Sequence, residues 1–131
     1  EAEQLAYDKL FEEKSIKEAY HKIHRTEWER LEEIYPNFFL KKIKTDFFAL
    51  NEINLPPINL VYFDCFGARV QPDLWEKPLF ELVKSKMEKG GLLTTYSSKG
   101  SVRRVLVELG FEVEKVEGPK GKREMLNAIL K

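Results

Sequence analysis

A chain of 131 residues can bury one core, and its 43% hydrophobic and 34% charged residues are those of a folded domain, not a disordered segment. Net charge is zero, with 22 Lys+Arg against 22 Asp+Glu, which argues against a simple basic nucleic-acid-binding domain, and the single cysteine, Cys65, excludes an intrachain disulfide or a thiolate metal cage. No apolar run approaches the roughly 20 residues that cross a bilayer and no charged-then-apolar leader opens the chain, so the expected compartment is the cytoplasm.

In chain order, Leu5, Leu10 and Phe11 suggest an apolar helical stripe. Ser15 with Glu18 has capping-box spacing and predicts a second helix through Ala19, Tyr20 and Ile23. Trp28, Leu31 and Ile34 continue a period near 3.6 until Pro36-Asn37 breaks it, so this stretch also reads as helix. Residues 38–43 are aromatic and β-branched and predict a strand running into Thr45-Asp46. After Pro56-Pro57, residues 58–63 are apolar at nearly every position and end at Asp64, as in a strand covered on both faces of a parallel sheet.

A loop with Gly67 and Pro72 precedes a helix with Leu79, Phe80, Val83 and Met87 on one face, which Gly90-Gly91 is expected to stop. Residues 92–96 form the next strand. Ser101 is placed to cap a helix carrying Val102, Val105, Leu106 and Leu109 inward, with Gly110 as its stop. Residues 111–116 alternate as an edge strand does, and residues 122–130 fit either a last strand or a terminal helix. This order predicts the tail of an α/β fold with a doubly wound, mostly parallel sheet.

Charge is unevenly spread: residues 1–40 hold 6 Lys+Arg against 10 Asp+Glu, whereas residues 99–131 hold 8 against 5. Taken alone, the basic excess at Arg103, Arg104, Lys120, Lys122 and Arg123 reads as a solvated face. His21 and His24 share a helix face, but no third ligand is near in sequence and no metal site is expected. Trp28, Trp75 and the nine phenylalanines read mainly as core.

Three stretches carry a resemblance: Val61-Tyr62-Phe63-Asp64-Cys65-Phe66 with Gln71-Pro72-Asp73-Leu74-Trp75; Gly90-Gly91-Leu92-Leu93-Thr94-Thr95-Tyr96-Ser97; and Gly100-Ser101-Val102-Arg103-Arg104 with Gly110-Phe111 and the closing Gly118-Pro119-Lys120-Gly121-Lys122-Arg123-Glu124-Met125-Leu126. From about Ala19 onward the chain resembles the methyltransferase domain of the MnmC family, also found as stand-alone MnmD-type proteins. The resemblance implies a class I, Rossmann-like methyltransferase fold, S-adenosyl-L-methionine as donor, and tRNA, contacted at its anticodon stem-loop, as acceptor. The implied reaction converts 5-aminomethyl-(2-thio)uridine at the wobble position to its methylaminomethyl form.

The same resemblance implies that Asp46 and Phe47 flank the adenine of the donor, and that Asp64 lies near the reactive amine as the catalytic carboxylate. Both aspartates are expected at strand ends, facing one crevice. Asp64, Cys65 and Tyr96 join the donor-binding set, while Phe66, Trp75, Ser97, Lys99, Arg103, Arg104, Lys120, Lys122 and Arg123 are assigned to substrate and tRNA phosphates. The chain departs from the family in two ways. Where the family has Asp-Ala-Phe-Ser-Pro or Asp-Gly-Phe-Ser-Pro, this chain has Asp64-Cys65-Phe66-Gly67-Ala68. The glycine-rich loop after a first strand, and an acidic residue after a second, are not found. The natural protein is therefore expected to extend upstream of Glu1, with this chain as the carboxyl-terminal two-thirds of one domain and a poor donor binder alone. An uncovered sheet edge would also permit a homodimer. The competing readings are a class I methyltransferase acting on another small molecule or protein, and a non-catalytic α/β module that binds RNA or a partner.

Overall fold

The computed structural model describes residues 13–121 and 124–131, and divides into two compact units, Glu1–Thr45 and Asp46–Lys131. The expected stripe at Leu5, Leu10 and Phe11 lies outside the described residues, as do Lys122 and Arg123.

In the first unit, helix α1 (Lys14–Arg25) has Glu13 at its N-cap, with no side-chain cap hydrogen bond. The Ser15 hydroxyl instead donates to the Glu13 carboxylate at 2.6 Å, so the expected capping box is not formed. The helix closes where the backbone N–H and hydroxyl of buried Thr26 both donate to the Lys22 carbonyl. Lys22 in turn donates to the carbonyls of Glu33 (2.6 Å) and Ile34 (3.2 Å).

Those carbonyls belong to a strand, which corrects the helical reading of Trp28-Leu31-Ile34. β1 (Leu31–Tyr35) and β2 (Phe38–Lys41) form an antiparallel hairpin turning at Pro36-Asn37. Asn37 takes φ +65, a left-handed conformation that asparagine tolerates better than most residues, and its N–H donates to the Glu33 carboxylate. Three apolar residues at spacing three also suit a short strand with a bulge, and the register does shift between Glu33 and Tyr35.

The second unit is built on a four-stranded sheet in the order β3-β4-β6-β5, from β3 (Ile58–Tyr62), β4 (Met87–Thr95), β5 (Phe111–Glu117) and β6 (Glu124–Leu130). β3 and β4 run parallel; β6 is antiparallel to both β4 and β5. The sheet is mixed: β3, β4 and β5 point the same way, as a mostly parallel sheet requires, and β6 alone runs against them. The cause is the final element, a strand inserted between β4 and β5 rather than a helix or an added edge.

Helices α2 (Lys77–Lys86) and α3 (Gly100–Glu108) supply Leu79, Phe80, Val83, Val102 and Leu106 to one core with Phe63, Leu93, Phe111, Leu126 and Ala128. Leu79, Phe80, Leu93, Val102, Leu106 and Leu126 are fully buried. Burying each such side chain contributes about 1.5–3 kcal/mol, so this face of the sheet holds the unit together. Lys84 of α2 donates to the Leu109 carbonyl at the end of α3 (2.7 Å), and Lys77 pairs with Glu108.

Two glycines expected to stop α2 do something else. The helix ends at Lys86 and β4 begins at Met87, so Gly90 and Gly91 lie inside the strand. Gly90 adopts φ +81, where the β3–β4 register is irregular. A Cβ on Gly91 would lie 2.9 Å from the Glu88 carbonyl oxygen and 3.1 Å from that of Ile58, so the position requires glycine for close backbone approach. At the start of α3 the N-cap is Lys99 rather than Ser101, whereas Gly110 takes φ +88 and ends that helix as expected.

Candidate functional site

Parallel pairing sets β3 and β4 with their carboxyl ends side by side. Tyr62 is opposite Thr94, and the Phe63 N–H donates to the Thr94 carbonyl at 2.8 Å. The chain leaves these strands at Asp64 and Tyr96, so both residues come to the same end of the sheet. Phe63 is anchored beneath them: its ring lies 4.8 Å from Phe80 and 5.3 Å, edge-on, from Trp75. Asp64 itself is exposed and borders three clefts.

The first cleft, about 290 Å³, is nearly all apolar: Phe47, Leu50, Leu55, Ile58, Val61 and Val83 form walls that Asp64 and Cys65 border. The second, about 380 Å³, is polar, with Thr95, Tyr96, Ser97, Ser98 and Lys99 facing Asp64, Cys65 and Trp75. A third, about 200 Å³, lies among Tyr62, Phe63, Thr94, Tyr96 and Met125. The polar cleft is shaped by a turn in which the hydroxyl of buried Thr95 accepts from the Ser97 N–H at 3.2 Å. Clefts of this size, mostly apolar with a few convergent polar groups, suit small-molecule binding.

The Cys65 thiol is held above its usual pKa, first by burial and then by the Asp64 charge. It is therefore a neutral wall group at physiological pH. That suits a site for an alkylating donor, because a thiolate there would compete for the methyl group. Apolar walls fit the faces of a purine, and the neutral thiol fits a neighbouring sulfonium.

Of the residues expected in the donor set, Phe47, Asp64 and Cys65 meet at the first cleft, and Tyr96 joins Asp64 at the other two. Asp46 is placed differently from expectation. β2 belongs to the hairpin, so Asp46 is not a strand tip; it is the N-cap of a 3-10 helix, Phe47–Glu52, where its carboxylate accepts from the Phe48 N–H at 2.8 Å. It borders none of the three clefts just described, though it fixes the helix that carries Phe47 into the first.

Of the substrate set, Trp75, Ser97 and Lys99 line the polar cleft with Asp64. Phe66 is 73% exposed on the loop after Asp64, and its carbonyl accepts from the Trp75 indole. Arg103 and Arg104 are exposed on α3, and Lys120 is exposed in the turn after β5. Leu50, Leu55, Tyr62, Val83, Lys86 and Thr95 border the clefts without having been singled out from sequence. Tyr62 lies two residues before the acid that follows the strand, but a nearly all-apolar strand does not reveal which face its members take. His21 and His24 both pack edge-on against Tyr20, at ring distances of 5.6 and 4.4 Å.

Residues 12–131 match a family described as S-adenosyl-L-methionine-dependent methyltransferase. The tRNA 5-methylaminomethyl-2-thiouridine biosynthesis bifunctional protein MnmC of Idiomarina loihiensis is 38% identical over 69 residues, 53% of this chain and 11% of that protein. Its namesake in Aliivibrio fischeri is 37% identical over 73 residues, 56% of this chain and again 11% of that protein. The match thus spans about a tenth of the length of these curated relatives. Among solved structures, MNMC2 from Aquifex aeolicus is similar with a TM-score of 0.63 and 30% identity, over 70% of this chain and 30% of that one. With the mixed sheet and its helices, these likenesses give the chain a Rossmann-like fold, and the chain belongs to the S-adenosyl-L-methionine-dependent methyltransferase family.

Proposed function

We propose that this chain forms part of a methyltransferase site that modifies tRNA at the wobble position, methylating the aminomethyl nitrogen of 5-aminomethyl-(2-thio)uridine. It is read as the carboxyl-terminal part of one doubly wound methyltransferase domain, acting in the cytoplasm on the anticodon stem-loop. The two MnmC relatives, named for tRNA 5-methylaminomethyl-2-thiouridine biosynthesis, support the tRNA substrate. The observation that carries the reading is Asp64: one exposed carboxylate, at the shared end of two parallel strands, borders an apolar cleft on one side and a hydroxyl-rich cleft on the other.

The apolar cleft, with Phe47 at its wall, would receive the adenosine of the donor. When bound, the donor supplies an electrophilic methyl group on a sulfonium sulfur. Asp64 is placed to accept a hydrogen bond from the substrate's aminomethyl N–H, orienting the nitrogen lone pair toward the methyl carbon. The nitrogen gains a fourth bond and a positive charge as the sulfur–carbon bond breaks. Asp64 takes up the proton that then leaves, and its exposure lets it pass that proton to water. Ser97 and Lys99 line the polar cleft, while Arg103, Arg104, Lys120, Lys122 and Arg123 supply cations for phosphates.

The test uses the intact natural protein, tRNA lacking the modification, and labelled donor. Methylation should appear on the aminomethyl nitrogen, and Asp64→Ala should reduce turnover by about 100-fold or more, the usual span for a positioned general base. Unchanged turnover in Asp64→Ala removes the carboxylate from the mechanism. Methylation of a small molecule or protein in place of tRNA overturns the substrate.

A further inference from the structure

We propose that Lys86 is a positioning residue for the donor cleft: it ties the 3-10 helix Phe47–Glu52 to the end of α2 and so holds Phe47 and Leu50 where the adenosine would lie. The proposal rests on reading the apolar cleft as the donor's.

Lys86 is the last residue of α2, and its ammonium group donates to the carbonyls of Ile53 (2.9 Å) and Asn51 (3.4 Å). Both acceptors are at the carboxyl end of the 3-10 helix, where carbonyls lack partners within the helix and a cation is favoured. The same side chain borders the apolar cleft together with Phe47, Leu50, Leu55 and Val83. Its aliphatic stem thus continues the cleft wall, while its charge is taken up by the backbone of the loop.

The helix needs such a tie. It has six residues, none of them buried, in a geometry weaker than the α-helix. Its amino end is held by the Asp46 carboxylate on the Phe48 N–H, and its own backbone bonds join Ala49 to Asp46 and Ile53 to Leu50. Leu50 packs against the core, and Phe47 remains 51% exposed. The Asp46 cap acts within the loop, whereas Lys86 joins the loop to α2, whose Leu79, Phe80 and Val83 are locked in the core. Losing it should therefore leave the domain folded but the cleft wall loose.

The experiment compares wild type, Lys86→Met and Lys86→Arg in the intact natural protein. Met keeps the stem and removes the donor; Arg keeps charge and reach. Hydrogen exchange at the Ala49 and Ile53 amides, measured without donor, should quicken about tenfold in K86M and return toward wild type in K86R, as expected for one charge-assisted hydrogen bond. Titration with S-adenosylhomocysteine should show a Kd raised by about tenfold in K86M and restored in K86R, with kcat at saturating donor within about twofold of wild type. Thermal melts that overlay for all three variants exclude misfolding as the cause. If S-adenosylhomocysteine protects the Phe48–Ile53 amides in wild type but K86M exchanges and binds as wild type does, the role of Lys86 is overturned while the cleft assignment stands. If the compound gives no protection there in wild type, the cleft assignment falls and the proposal falls with it.

Discussion

The Trp75 indole N–H donates to the Phe66 carbonyl at 2.7 Å while its ring stands edge-on to Phe63, so one side chain couples the loop after Asp64 to the core beneath it. Asp64, Cys65 and Phe66 follow Phe63 directly, and this clasp limits how far they can swing. The expectation that Trp75 serves the site is compatible with this geometry, but the ring also works from below, as a support for the carboxylate's loop.

Trp75→Phe should separate the two contributions, because it keeps an aromatic ring against Phe63 and deletes the donor. Loss of one hydrogen bond to an exposed loop should cost about 1 kcal/mol in urea unfolding, whereas Trp75→Ala should cost about 3 kcal/mol or more through lost packing. Methyl transfer by the intact protein should fall in both, with kcat affected more than donor affinity. Equal stability losses in the two variants would show that the hydrogen bond alone matters, because the ring is lost in only one of them.

Much of this was legible beforehand, for identifiable reasons. Residues 58–62 form a strand because five near-continuous apolar positions bounded by Pro57 and Asp64 leave little else, and the acid that follows borders the three clefts described above. Ile34 and Leu31 misled because spacing by three fits a helix; the deciding partner, Phe38-Phe39-Leu40, is recognised only through pairing across Pro36-Asn37. Asp46 was placed at a strand tip for the same reason, since strand identity did not reveal which sheet β2 would join. Lys86 left no signal at all, because a lysine ending a helix is ordinary and its acceptors are backbone atoms more than thirty residues earlier.

Cys65 should alkylate slowly at neutral pH. Burial and the Asp64 charge both hold its pKa above the ordinary thiol value, so the reactive thiolate forms only at higher pH. Asp64→Asn removes the second cause and should move the iodoacetamide rate profile to lower pH, leaving part of the elevation from burial. The sign for stability follows: a thiol whose folded pKa is raised contributes stability below its unfolded pKa that is lost as pH climbs through the folded value. An alkylation profile that does not move in Asp64→Asn would disprove the electrostatic coupling.

Gly91→Ala should destabilise the second unit by about 1–3 kcal/mol, because the added methyl meets backbone carbonyls of Glu88 and Ile58 that cannot rotate away as a side chain would. Gly90→Ala has open space but must adopt φ +81, a cost of about 1 kcal/mol. The two neighbours should thus fail for different reasons. A crystal structure of the Gly91 variant should show β3 displaced from β4 near Ile58, and the Gly90 variant should not; urea midpoints report the energies.

The basic residues of α3 offer the sharpest test of the RNA assignment. Arg103 and Arg104 are exposed, and the helix is held by Val102 and Leu106 on its opposite face, so replacing both arginines with glutamine should leave the melting temperature nearly unchanged. If they meet tRNA phosphates, each loss should reduce the slope of log affinity against log salt by about 0.7–0.9, whatever the tRNA sequence. Turnover at saturating tRNA should be preserved, because neither side chain borders the clefts around Asp64. An unchanged salt slope would return this face to the plain solvated surface that its charge pattern alone suggests, and would move the search for the phosphate contacts to Lys99 and Lys120.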